Sequence, residues 1–377
     1  MQIAMVAAGF TAGEADLVRR SMAAWQRRGG LQQFRDKLHR GMLAKGYTQD
    51  FAERIFQQVL GFGSYGFPES HSASFALLVY VSAWLKCHQP AAFCAGLLNS
   101  WPMGFYAPAQ LVADARRNGV IFRRVDVQHS EWNCTLEPGP NGRPEVRIGM
   151  RMVKGLAENQ AQAIIGARAA DAFRSVDNLA HLAGLNQRSL NLLAMSNALH
   201  SLTGHRRLAR WGALGVERLP GMLAGYSAQE DHIVLVPPTE GQDIVADYRS
   251  LGLTLERHPL ELLRKRFARL GVLRAADLSH ARNGSRVRVA GLVTHRQRPE
   301  TASGVIFISI EDETGVNNLI IWPKLLERQR VPILAAELMV VEGKIQSEQG
   351  VTHVVAHKVR DYSAWLGGLA VSSRDFH

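Results

Sequence analysis

This 377-residue sequence is short of several things, and each shortage closes off a class of protein. No run approaches the ~20 consecutive apolar residues that a membrane-spanning helix requires, so no membrane partner is expected. The opening Met1–Gly9 is apolar but lacks a basic start and a long enough hydrophobic stretch, which argues against a signal peptide. The three cysteines, Cys87, Cys94 and Cys134, are an odd number without metal-ligand spacing. They are expected to be reduced, partly buried thiols of a cytoplasmic protein. Asp-x-Asp occurs nowhere, and the nearest acidic cluster, Glu311-Asp312-Glu313, falls at a turn where solvation accounts for it. Internal repeats and low-complexity tracts are also missing.

Positive charge is in good supply. Lys and Arg number 44 against 33 acidic residues, a net charge of +11 with a pI near 9.9. Only eight of the cations are lysines, and guanidinium forks suit phosphate better than ammonium groups do. A merely basic surface on an arginine-rich protein explains the same count, so charge permits nucleic acid without establishing it. Length predicts two to four domains, and 46% hydrophobic with 20% charged residues describes a soluble globular chain.

Residues 1 to about 105 read as helical. Glu14–Arg28 places Leu17, Val18, Ser21, Met22 and Trp25 on one face, and Thr48 caps a helix carrying Phe51, Ile55 and Val59. Ala73, Ala76, Leu77, Tyr80, Val81, Trp84 and Leu85 follow helical spacing. Leu78 and Val79 widen that face, which predicts a helix buried nearly all round and ended by Pro90. Helical signals continue at Ala107–Asn118, Glu158–Arg168, Val176–Ala183 and Gln187–Met195. Residues 215–283 are mixed, with Val236–Gly241 reading as a linker or exposed loop. After about residue 284, Arg286–His295, Val305–Asp312, Val316–Trp322, Leu338–Ile345 and Val351–Val359 read as strands, with a helical piece at Pro323–Arg330. Five strands with a helix after the third is the order of an OB-fold.

Two N-terminal segments carry chemistry. In GSYGFPESHSASFALLVYVSAWLKCHQPAAF (63–93), a glycine-rich turn leads through Ser70-His71-Ser72 into the apolar helix, where donors at a helix start can meet a ligand. Taken alone, Ser70 and Ser72 are ordinary caps and His71 a structural histidine; no nearby Asp or Glu orients a Ser-His nucleophile. In MQIAMVAAGFTAGEADLVRRSMAAW (1–25), Thr11 and Gly13 begin a helix, and Glu14 and Asp16 complement its positive end. Arg19 and Arg20 then project from its early turns, placed either to clamp a triphosphate or to form a solvated basic face.

The blocks GEADLVRRSM and YGFPESHSASFAL, in this order and separation, resemble the fingers region of bacterial C-family DNA polymerases, the family of the replicative polymerase III alpha subunit. The resemblance extends over essentially the whole chain. It implies that Arg19 and Arg20 contact the triphosphate of the incoming nucleotide and that Ser70 and His71 lie close to the nucleotide pocket. LLNSWPMGFYAPAQLVADARRNGV (97–120) and an ending in SRDFH soon after the barrel resemble the error-prone paralogue, which takes part in damage-induced mutagenesis and translesion synthesis. In that family the metal-binding carboxylates lie in a palm domain before the fingers. Met1 therefore reads as an internal methionine of a longer ancestral frame, and Mg2+ as a cofactor of the complete enzyme that this chain alone does not bind.

RIGMRMVKGLAENQAQAIIGAR (147–168) reads as helix, Gly155-Leu156-Ala157 hairpin and second helix, with Val176–Met195 turning at Gly184-Leu185-Asn186 as its partner. It resembles the family's tandem helix-hairpin-helix; an ordinary helical hairpin is the other reading. Hairpin amides bind backbone phosphate without reading sequence, with Lys154 and Arg168 adding charge. The usual second glycine is Ala157 here, whose Cβ stands where a phosphate would come closest. In the barrel, Phe307 and Trp322 are placed to stack on bases, or simply to fill the fold, while Arg286, Arg288, Arg296 and Arg298 follow the phosphate backbone. Nothing in residues 204–245 matches the family's clamp-binding peptide, because Gln229-Glu230-Asp231-His232-Ile233 lacks the aromatic end. Access to the sliding clamp is expected through an accessory mutagenesis protein.

The expected architecture is multidomain α+β: fingers portion 1–105, helix-hairpin-helix domain 106–214, mixed linker region 215–283, all-β OB-fold 284–362 and tail 363–377. The expected function is the dNTP- and primer-template-holding part of an error-prone DNA-directed DNA polymerase, a nucleotidyltransferase, inactive on its own without the palm. The alternative is a non-catalytic DNA-binding protein or mutagenesis-complex scaffold.

Overall fold

A computed structural model describes residues 2–23, 34–64, 69–103, 106–216, 233–278, 280–299, 304–348, 351–369 and 374–376, with the side chains of 2–3, 19–23, 60–64, 69–72, 141 and 374–376 excepted. The chain divides into two units, Met1–Trp84 and Leu85–His377. In the first, α1 (Gln2–Ala8), α2 (Ala12–Ala23), α3 (Arg35–Ala44) and α4 (Gln49–Ser64) precede the long α5 (Glu69–His88), which runs across the division. Thr11 and Glu14 form a reciprocal cap at the start of α2: the Glu14 amide donates to Thr11 Oγ1 (3.3 Å) and the Thr11 amide to Glu14 Oε2 (2.9 Å). A hydrogen bond from Lys37 and those from Thr11 hold the Glu14 carboxyl down at about 2. Phe10, Val18, Leu38, Met42 and Phe56 form the core of this unit. At the α1–α3 crossing a Cβ on Gly41 would stand 2.0 Å from the Ala8 carbonyl oxygen, so only glycine fits.

The apolar helix α5 departs from the expected burial. Leu78, Val79 and Tyr80 are 59%, 63% and 70% exposed, and Phe75, Leu77 and Trp84 are exposed with them. Its composition announces a helix that needs cover on every side, and the described residues do not provide that cover.

In the second unit, α6 (Pro90–Asn99) and α7 (Pro108–Arg117) lead into a small sheet of β1 (Phe122–Arg123), β2 (Thr135–Pro138) and β3 (Pro144–Arg147), in the order β1-β3-β2. After a 3-10 turn at Met150–Met152 come α8 (Glu158–Ala170), α9 (Val176–Leu182), α10 (Gln187–Met195), α11 (His200–Thr203) and α12 (Arg206–Gly215). Val146, Ile148, Met150, Ile164, Leu179 and Leu193 share one core beneath them. The first arm of the 147–168 segment is thus the end of a strand and a 3-10 turn, not the expected helix. Val146, Ile148, Met150 and Met152 place an apolar, buried residue at every second position, a strand period.

Residues 240–278 form α13 (Glu240–Ser250), α14 (Pro259–Arg269) and α15 (Ala275–Leu278), capped by Thr239 and His258. They are packed, not linking: Ile244, Leu260 and Phe267 are at most 1% exposed against Ala290, Leu292, Leu338 and Val340 on the outside of the barrel. Each such side chain contributes on the order of 1.5–3 kcal/mol by burial. Among the described residues of this region, 233–239 precedes the first helix without regular structure, with Val234 92% exposed.

The barrel comprises β4 (Arg286–Gln297), β5 (Ile306–Asp312), β6 (Gly315–Ile321), β7 (Leu338–Glu348) and β8 (Val351–Asp361), with α16 (Pro323–Arg328) and α17 (Arg330–Ala335) after the third strand. The order β5-β6-β8-β7-β4 closes through a β4–β5 pairing, leaving no free edge. A short β9 (Arg374–Phe376) pairs parallel with His295–Gln297. Alternate residues fill the interior, among them Val289, Ile308, Leu319, Val341 and Val354.

Candidate nucleic-acid interface

The sequence-derived site residues fall into three places. Arg19 and Arg20 occupy α2 and Ser70 and His71 the first turn of α5, but their side chains lie outside the described residues.

The second place is the hairpin pair. Gly155 has φ +85°, the left-handed conformation that glycine adopts freely, and Leu156 is buried beneath it. Ala157 is the N-cap of α8 at φ −84° and ψ 146°, a conformation in which a Cβ brings no strain. The Gln160 and Ala161 amides return to the Ala157 carbonyl, which leaves the earlier amides at the helix start without intrahelical partners. Lys154 is engaged elsewhere: its Nζ donates to the Tyr248 carbonyl (2.9 Å) and its amide to Ser250 (2.9 Å), and burial lowers its pKa. Arg168 is likewise spent on structure, donating to the carbonyls of Val127 (3.1 Å) and Ser130 (2.9 Å) and to Glu131 (2.7 Å).

The Gly184-Leu185-Asn186 turn repeats the geometry at α10. Gly184 has φ +60°, and Asn186 Oδ1 accepts from the Ser189 amide (2.9 Å). No acidic residue stands in the first turn of α10, whereas Glu158 opens α8. Arg188 reaches back between the turns: a Cβ on Gly155 would lie 4.0 Å from its guanidinium. Sequence reading passed over Arg188, although its place two residues after the cap Asn186 was the available signal.

The third place is the barrel. Phe307 faces outward and is half-buried, Trp322 at the start of α16 is 55% exposed, and Arg298 is exposed. Arg298 lies near Trp322's end of the barrel, since a Cβ on Gly304 would be 3.8 Å from its guanidinium and 3.5 Å from Pro323. Arg286 and Arg288 sit on the β7-paired half of β4, several strands away around the barrel. Arg288 donates to the Leu270 carbonyl and to Glu342 (3.0 Å). Arg296 turns inward: it is 7% exposed, with Nε donating to Ile333 O (3.0 Å) and a terminal nitrogen to Ala336 O (2.5 Å). A bulge between Val293 and His295 is the cause. It reverses the alternation, so the face carrying Arg286 and Arg288 no longer includes Arg296.

In Glu311-Asp312-Glu313 the first two residues are buried and Glu313 is half-buried, so the cluster is not the solvated turn expected. Asp312 is 2% exposed and accepts from the Ala275 (2.8 Å), Thr314 (2.8 Å) and Gly315 (3.1 Å) amides, while Arg264 bridges to Glu313 (2.6 Å). Glu311 lines a cavity of about 750 Å³ between α7, α14 and the barrel, shared with Arg117, Lys154 and His258. Burial pushes its carboxyl up to about 7, against the pull of Arg117, and burial drives His258 down to about 4. No group of described residues has the donors to hold a metal ion, and this acidic cluster is committed to Arg264 and backbone amides. Mg2+ does not fit there.

A left-handed hairpin pair and a small closed barrel define a class, that of nucleic-acid-handling modules. Family profiles agree: the helix-hairpin-helix motif matches residues 119–209, the OB-fold nucleic acid binding domain 287–362, and the bacterial DNA polymerase III alpha subunit finger domain 1–46.

The particular relatives are error-prone DNA polymerases. That of Alkalilimnicola ehrlichii is 55% identical over 377 residues, covering 100% of this chain and 37% of its own length. That of Pseudomonas paraeruginosa is 52% identical over 378 residues, with the same 100% and 37%. That of Methylococcus capsulatus is 52% identical over 394 residues, covering 100% and 38%. By sequence the chain is similar to error-prone bacterial DNA polymerases along its whole length, and it spans 37% of the length of the first of these relatives. No helix among the described residues is long and apolar enough to cross a membrane.

Proposed function

We propose that this chain is the nucleotide- and DNA-holding portion of an error-prone DNA polymerase acting in damage-induced mutagenesis and translesion synthesis. In this reading residues 1–105 are a fingers portion, 106–214 hold duplex, 284–362 hold single strand, and 215–283 brace the two DNA-binding parts. Arg19 and Arg20 neutralise the triphosphate of the incoming dNTP, and Ser70 and His71 shape its pocket. The hairpin amides, with Arg188 beside them, take a backbone phosphate of the primer-template without reading sequence. On the barrel, Phe307, Trp322 and Arg298 hold the unpaired template.

Nucleotide transfer needs carboxylates that hold Mg2+ around the primer end, which another polypeptide segment supplies; an accessory mutagenesis protein links the assembly to the sliding clamp. The observation that carries this reading is the similarity to error-prone polymerases along the entire chain at 55% identity. Primer extension tests it. The purified chain with Mg2+ and four dNTPs is expected to extend nothing, and extension should appear when a palm-bearing chain is added. Extension by the chain alone, or none with the palm supplied, would overturn it.

A further inference from the structure

Strand β4 changes partner at its middle: Arg286–Leu292 pairs with β7, and Leu292–Gln297 with β5. Its first half therefore belongs to a three-stranded surface, β4-β7-β8, to which Phe307 on β5 and Trp322 after β6 do not belong. In that surface Val289 pairs with Val341 and Val341 with Val359, all buried inside the barrel. One place along, Arg288 pairs with Glu342 and Glu342 with Lys358, and two residues further on Arg286 pairs with Lys344. Paired residues project to the same side of a sheet and neighbours along a strand to opposite sides, so these five point outward. Arg360 pairs with Val340, which lies on the barrel's outside beneath α13 and α14, and reaches toward Glu342. The register shift between Glu342 and Gly343 adds the exposed His357.

These side chains converge. Glu342 binds Arg288 at 3.0 Å and Arg360 at 3.6 Å, tying β4 and β8 together across β7. Arg286, Arg288, Glu342 and His357 line one open concavity of about 740 Å³, walled on another side by Leu270 and Gly271 after α14. The surface thus carries five cations and one carboxylate. Arg286, Lys344 and Lys358 are exposed and have no carboxylate partner among the described residues. No Phe, Tyr or Trp lines the concavity. Point charges without an aromatic platform suit phosphates and not unstacked bases. They also lack the aromatic anchors on which a protein interface depends.

We propose that this surface binds the phosphate backbone of double-stranded DNA, at a site separate from the Phe307 side of the barrel. The proposal rests on the reading of the chain as a nucleic-acid holder and gives the barrel a second, duplex-binding side. Three strands span roughly 10 Å, which at ~3.4 Å of duplex per nucleotide meets about three phosphates of one DNA strand. Arg286, Lys344 and Lys358 supply the charges for them. Glu342 moderates the grip by holding Arg288 and Arg360.

The test is a pair of salt titrations of the full chain, with a labelled blunt-ended duplex and with oligodeoxythymidylate. Wild type is compared with Arg286→Gln/Lys344→Gln/Lys358→Gln and with Glu342→Gln, and thermal unfolding establishes that each variant is folded. The triple variant should lower the duplex slope of log affinity against log salt by about 2.7, and the affinity at least ~10-fold at low salt. Glu342→Gln should steepen that slope by about 1. Oligodeoxythymidylate binding should change far less, since it depends on stacking at Phe307. If wild type binds duplex and the triple variant keeps its slope, the hairpins hold duplex alone, and this proposal falls while the wider reading stands. Equal losses for duplex and oligodeoxythymidylate would make the surface part of the single-strand path and overturn it. So would a triple variant that keeps duplex affinity but loses binding to poly-L-glutamate, which assigns the surface to an acidic protein segment. If wild type binds neither nucleic acid, both readings fall.

Discussion

Replacing Arg296 separates a structural arginine from a nucleic-acid contact more sharply than any other substitution. Its guanidinium is buried, where Nε and a terminal nitrogen serve the Ile333 and Ala336 carbonyls at 3.0 and 2.5 Å. Arg296→Met keeps most of the apolar stem and removes both donors. Hydrogen bonds from a charged donor are worth about 1.5–3 kcal/mol each, and the stranded carbonyls carry a further desolvation cost. The expected loss is about 3–5 kcal/mol. For a unit of this size that lowers the melting temperature by on the order of 10 °C. The assay pairs thermal unfolding with the salt titration of single-strand binding at a temperature where the variant is folded. Stability should fall while the salt slope stays at its wild-type value. The reasoning is refuted if the melting temperature holds and the slope drops by about 0.7, the signature of one lost phosphate contact.

Two further outcomes follow from the same geometry. Burial raises the Glu311 carboxyl from 4.5 to about 7, so the folded state holds that proton more tightly than the unfolded chain. Its contribution is full below pH ~4.5 and is lost as pH rises through ~7, about 3 kcal/mol at most. Glu311→Gln should flatten the stability profile between pH 6.5 and 8, a window above the opposing His258 transition that runs from 6.5 down to about 4. Parallel profiles for wild type and variant in urea unfolding would contradict the assignment. Arg168→Ala should cost about 2–4 kcal/mol, because it strands the Val127 and Ser130 carbonyls, and should leave duplex affinity unchanged when both proteins are folded. A variant as stable as wild type but weakened for duplex would return Arg168 to the DNA surface.

The barrel was legible because its strands alternate with period 2, and the acid-rich turn with a helix after the third strand gave their order. What alternation cannot convey is a break in its own phase. Counting from Arg286 and Arg288 puts Arg296 outside, and the one-residue bulge before His295 puts it inside. The same period, carried by Val146, Ile148, Met150 and Met152, was visible ahead of the first hairpin but was taken for part of a helix.

Long-range partners were beyond reach. Asp312 and Glu313 read as a solvated turn because the arginine that neutralises them, Arg264, is 48 and 49 residues earlier. Helix α5 shows the converse limit: an apolar composition records that cover is needed, not which polypeptide gives it. Of the site, the two hairpin glycines and the barrel aromatics were readable from motif and spacing. Arg188 was not, since only folding carries it to that position.

The central claim is that the hairpins and the barrel grip nucleic acid chiefly by its charged backbone, and equilibrium titration of the purified chain with a primer-template duplex across salt concentrations tests it most directly. The account predicts sequence-independent binding whose log affinity falls linearly with log salt, with a slope steeper than about −2. Negligible binding at low salt, or an affinity that does not change with salt, would contradict it.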